Sequence, residues 1–157
     1  KALQDQLHKT DIPKLLAALA VTVRVAVLKG RSSYLCLHRL GGARLNSTFD
    51  DPAQLRQLAD VEIWALETQS GDLAEVITLG EHSPIVALVS STRENCLGGR
   101  CPQASSCHVN LARRKAMAAD LVVVNHHLFF ADLNVRESGV AELLPSVKAW
   151  FLMKHIK

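Results

Sequence analysis

Ala119-Asp-Leu-Val-Val-Val-Asn125 sets an apolar run, Leu121 to Val124, directly behind a helical stretch. A run without polar alternation fits a strand covered on both faces, as strands of parallel sheets are. Just upstream, Ser105 to Ala119 is rich in Ala, Arg, Lys and Met and predicts a helix that Asp120 ends. Far upstream, Thr22 to Leu28 is β-branched and apolar and predicts a second buried strand, followed by the basic turn Lys29-Gly-Arg-Ser32. Two such strands separated by a long helical excursion predict an α/β core carrying an inserted lobe from about Tyr34 to Cys107.

Inside that excursion, Asp50-Asp51-Pro52 offers an N-cap and a proline for a helix start, and Leu55, Leu58, Ile63 and Leu66 follow at roughly helical spacing. A second helix is expected over Ser83 to Ser90, with Pro84 in its first turn. Before the first strand, Lys1-Ala-Leu-Gln-Asp-Gln-Leu7 and Ile12 to Ala20 read as helical, the latter with Leu15, Leu16 and Leu19 on one face. Asn125 to Phe130 leads into a short helix, and Ala149 to Met153 is a candidate final strand.

The chain has 157 residues, is 48% hydrophobic and 21% charged, and carries a net charge of +3, values of an ordinary globular domain that permit contact with a polyanion without requiring it. There is neither a run of about 18 apolar residues nor a signal-peptide pattern, so a cytosolic (cytoplasmic) location and no membrane partner are expected. In a reducing compartment four cysteines are poor candidates for two structural disulfides, which leaves metal binding or burial as free thiols.

Cys96, Cys101 and Cys107 lie with four and five residues between neighbours, and 59 residues separate Cys36 from the group. Short loops bring three sulfurs together at small entropic cost, and a packed fold can supply the fourth. Gly98-Gly99 and Pro102 favour a tight loop whose backbone N–H groups could point at sulfur. The spacing differs from the paired CxxC knuckles of structural zinc, yet zinc accepts four thiolates wherever a fold presents them. An iron-sulfur centre, a zinc site and inert buried cysteines all remain open on spacing alone.

Lys29-Gly-Arg-Ser-Ser-Tyr-Leu-Cys36, Asn95-Cys-Leu-Gly-Gly-Arg-Cys-Pro102 with Cys107, and Ala119 to Phe129 together resemble the DinG/YoaA branch of the XPD-like superfamily 2 helicases. Lys1 to Leu7 is similar to the DNA-contacting motif Ia of that family. The resemblance implies a [4Fe-4S] cluster on Cys36, Cys96, Cys101 and Cys107, held in a mainly helical domain over residues 34–107. Residues 1–33 and 108–157 would belong to a RecA-like first motor domain with a parallel sheet. It further implies an ATP-dependent enzyme moving 5′ to 3′ on single-stranded DNA, in repair or replication, with Lys29 and Arg31 near the DNA path.

No Walker A sequence is present, and Lys154-His-Ile-Lys157 stands where the family has an Asp-Glu-Ala-His box. ATP and Mg²⁺ are therefore expected only in a full-length parent that includes the remainder of the motor, and this chain is expected not to hydrolyse ATP. The reading from another class is a non-enzymatic zinc or cluster module that binds nucleic acid or a protein.

Arg113 and Lys115, with Arg114 between them, could follow phosphates or form a solvated helix face. His126-His127 is a poor chelate because adjacent residues diverge. Trp64, Trp150, Phe129 and Phe130 are expected in packing before base stacking. Asp50-Asp51 and Glu62 to Glu67 belong to a helix start and an exposed face, and no serine, histidine and acid arrangement suggests a hydrolase.

Overall fold

The computed structural model describes residues 3–45, 49, 51–80, 82–125 and 128–130. Asp50, His126-His127, Trp150, the candidate strand Ala149 to Met153 and the Lys154 to Lys157 ending lie outside the described residues. The chain divides into two compact units, Lys1–Lys29 with Arg113–Lys157, and Gly30–Ala112.

In the first unit, strand β1 (Val25–Leu28) pairs in parallel with strand β2 (Leu121–Val124), Val25 opposite Leu121 and Leu28 opposite Val124. Both apolar runs thus form strands of an α/β arrangement. The first is shorter than the sequence predicts, beginning at Val25 instead of Thr22. Ala26 and Leu28 are buried on one face, while Leu121 is 36% exposed, so β2 is not covered on both faces here.

Asp120 fixes where the strands begin. Its carboxylate accepts from the Arg24 backbone N–H at 2.9 Å and from the Arg24 guanidinium at 3.1 and 3.0 Å, while the Arg24 carbonyl accepts from Asp120 N–H at 2.8 Å. The guanidinium bonds, then the Arg24 backbone N–H, hold the Asp120 pKa down to about 2 from an ordinary 3.8. A depressed carboxylate pKa contributes stability that is complete above the unfolded value and is lost as pH falls through the folded one. Acidification from pH 4 toward 2 is therefore expected to loosen the start of the strand pair, read as loss of amide-exchange protection at Val25 and Leu121. Asp120→Asn should remove that pH dependence.

Ahead of β1, one continuous helical run comprises α1 (Leu3–Gln6), a π-helical turn (Leu7–Asp11) and α2 (Ile12–Ala18). Pro13 explains the widening: it lacks the N–H that an α-helix needs, and the Ile12 N–H reaches back to the Leu7 carbonyl instead. Gln4 Nε2 donates to the carbonyls of both Leu28 and Val123 at 3.0 Å, tying the run to both strands. The expected apolar face of α2 is not buried: Leu15 is 58% and Leu19 60% exposed.

The second unit is helical. It contains α3 (Leu37–Ala43), α4 (Pro52–Ala65) and α5 (Pro84–Val89), and α6 (His108–Met117) begins in it. Asp51 caps α4 as the sequence predicts, accepting from Ala53 N–H at 2.8 Å ahead of Pro52, and Ser83 caps α5 in the same way at 3.3 Å. Leu35, Ala43, Leu58, Val61, Leu73, Val76, Ile85 and Val89 form its core, and Trp64 packs against them. Leu55, Ile63 and Leu66, expected with Leu58 on one face, are exposed instead, because α4 buries the Leu58 and Val61 side. No helix among the described residues is long and apolar enough to cross a membrane.

Candidate metal centre

All four cysteines belong to the helical unit, and each is a free, half-buried thiol. Cys36 is the N-cap of α3; its N–H donates to the Val89 carbonyl at 2.7 Å and its own carbonyl accepts from Leu40 at 2.9 Å. One residue earlier, Leu35 N–H donates to the Gly71 carbonyl at 2.8 Å. Cys107 immediately precedes α6, and its carbonyl accepts from Leu111 at 2.9 Å.

Gly71 connects these two ends. It sits at φ +65°, and the face a side chain would occupy is filled by the His108 ring, whose Cγ lies 2.1 Å from where a Cβ would stand. The same residue thus anchors the backbone beside Cys36 and receives the side chain beside Cys107. Thr68 and Ser70 hold the turn, accepting from the N–H groups of Gly71 and Asp72 at 3.0 and 3.1 Å.

Between them lies the loop of Cys96 and Cys101. Asn95 Oδ1 accepts from Thr92 N–H at 2.8 Å before the first cysteine, and a 3-10 turn (Gly98–Arg100) separates the two. Gly98, at φ +58°, turns its N–H onto Cys96 Sγ at 3.4 Å, and its carbonyl accepts from Cys101 N–H at 3.1 Å. An N–H aimed at a sulfur tunes any metal that the sulfur holds. Asn110 Nδ2 then ties the Ala104 carbonyl to α6 at 3.2 Å.

Among the described residues, no three His, Cys, Asp or Glu side chains stand where they could hold one ion. The structure ties the backbone around Cys36 and around Cys107 to one turn but does not bring the four sulfurs to a common centre. By donor chemistry the set still fits an iron-sulfur group, since four soft thiols are uncommitted to disulfides and one already accepts a backbone N–H.

The basic candidates are scattered in sequence. Lys29 Nζ pairs with Asp5 at 2.8 Å, its side chain only 9% exposed. Arg31 opens a short 3-10 turn and is half-buried. On α6, Arg114 and Lys115 are exposed and Arg113 is half-buried. Phe129 is buried and meets the half-exposed Phe130 edge-on with ring centres 5.4 Å apart. Glu62, assigned no chemistry from sequence, holds Arg44 through a bidentate pair at 2.6 to 3.1 Å. Gly71 has no part in the sequence reading, although the Ser70-Gly71-Asp72 turn signature marks it.

A parallel strand pair with a four-cysteine helical unit between its strands in sequence is an α/β arrangement. No protein-family model matches the chain. It is 49% identical over 148 residues to the ATP-dependent DNA helicase YoaA of Haemophilus influenzae, a match covering 94% of this chain and 23% of that protein. It is 50% identical to the helicase of the same name from Escherichia coli, covering 92% and 23%. It is 35% identical to the ATP-dependent helicase DinG of Mycobacterium tuberculosis, covering 88% and 23%. These matches, over most of the chain, support a DinG/YoaA-type helicase fragment. The chain spans about a quarter of the length of these relatives, 23% in each case.

Proposed function

We propose that this chain is the cluster-bearing segment of an ATP-dependent DNA helicase moving 5′ to 3′ on single-stranded DNA, with Cys36, Cys96, Cys101 and Cys107 ligating one [4Fe-4S] cluster. The observation that carries the reading is the Gly71 turn, which holds Leu35 beside Cys36 through its carbonyl and His108 beside Cys107 against its Cα. Residues 34–107 form the cluster domain, and 1–33 with 108–157 belong to the RecA-like motor. A bound cluster would supply a rigid crosslink among three chain segments and a redox-active centre. The chain's own contribution is to order those segments, through the bonds at Val89, Gly71 and Gly98, before any metal arrives. ATP and Mg²⁺ act in the full-length helicase.

DNA contact is assigned to phosphate-following cations: in one unit Arg113 and Lys115 on α6, with Lys29 held by Asp5, and in the other unit Arg31. Such contacts read no bases and weaken with salt. Replacing Arg113 and Lys115 together by Gln should flatten the plot of log affinity against log salt for single strands by up to about 1.4, roughly 0.7 for each lost contact. An unchanged slope would place α6 away from DNA.

A further inference from the structure

The end of α5 is held by α3, and the residue that holds it stands one helical turn past Cys36. The last carbonyls of a helix have no partner within it and must find donors elsewhere. At α5 three consecutive ones are served by a single short segment: the Ala87 carbonyl accepts from Arg39 Nη2 at 3.2 Å, Leu88 from Arg39 Nε at 3.2 Å, and Val89 from Cys36 N–H at 2.7 Å. A guanidinium at a helix C-terminus also suits the negative end of the helix dipole. The fork of Nε and Nη2 spans two successive carbonyls, which a point-like ammonium cannot do.

We propose that Arg39 is a positioning residue for the metal centre, acting through Cys36: its bidentate grip on α5 fixes the start of α3 and with it the direction in which Cys36 presents its thiolate. This rests on the cluster reading above. The Cys36 N–H bond alone is a single hinge; with Arg39 added, α3 meets α5 at three donors and cannot turn about that one bond. Without the guanidinium, Leu88 and Ala87 lose their partners and Cys36 is the ligand left loosely held.

The experiment uses the 157-residue chain, purified anaerobically, with iron release to an excess of chelator followed optically and thiols freed during release trapped with iodoacetamide and identified by mass spectrometry. Arg39→Met, which keeps the stem but no donor, should release iron about tenfold faster, the low end of the roughly 10–100-fold that loss of an outer-shell partner costs a metal site. Cys36 should be the first thiol trapped. Arg44→Met removes an equal charge at the other end of α3 and should match the wild type in both respects. Arg39→Lys should fall between, and decides the matter if Arg39→Met does not fold. Release at the wild-type rate from Arg39→Met or from Arg39→Lys, or trapping in which Cys36 has no priority, overturns the role of Arg39 while leaving the cluster in place. A wild-type chain without iron overturns both readings.

Discussion

Gly71→Ala is expected to unfold much of the helical unit. At φ +65° an alanine is strained before any contact is counted, at a cost of about 1–3 kcal/mol. Its methyl would then lie 2.1 to 2.6 Å from three carbons of His108, a ring only 6% exposed with little room to retreat. Overpacking of that kind adds roughly 1–3 kcal/mol, so a total near 2–6 kcal/mol is expected, a large share of what a domain of this size possesses. The measurement is the urea midpoint of the helical circular-dichroism signal. Gly41→Ala is the matched control: Gly41 lies inside α3 with nothing within 4 Å of its virtual Cβ, and alanine there should raise stability by about 0.5–1 kcal/mol. Equal midpoints for the two variants would mean that the Gly71 turn does not clasp His108 in solution.

Cys101→Ser should abolish metal binding while leaving most of the helical unit folded. Cys101 is half-buried at the end of the Gly98–Arg100 turn and outside the apolar core. The substitution is nearly isosteric, so packing changes little. A neutral serine hydroxyl is a hard, poor donor to iron where thiolate is a soft, good one. Bound iron is expected to fall from about four per chain to near zero, since a cluster of this type draws on four thiolates. Retention of full iron content by Cys101→Ser would remove Cys101 from the ligand set.

The parts of the fold that were legible were those whose determinants are local. The Leu121 to Val124 run and the Val25 to Leu28 half of the earlier run form the parallel pair, because β-branched residues without alternation have few other places to go. Asp51-Pro52 and Ser83-Pro84 begin helices because their cap chemistry acts within a single turn. The helix Leu37–Ala43 was not foreseen, since Gly41-Gly42 argues against helix on propensity and tertiary support overrides it. Thr22 and Val23 stop short of β1 because Asp120 clamps the pair at Arg24. Of the site, the four cysteines were visible as a set. The groups that order their loops were not: the Gly71 carbonyl, the His108 ring and the Arg39 fork act across 36, 37 and 49 residues of sequence, distances at which no periodicity speaks.

Iron and acid-labile sulfide determined on the same anaerobically purified sample test the four-thiolate cluster most directly. Brown protein with about four of each per chain is expected, as a [4Fe-4S] centre requires. Colourless protein carrying a single zinc, or no metal at all, would contradict it.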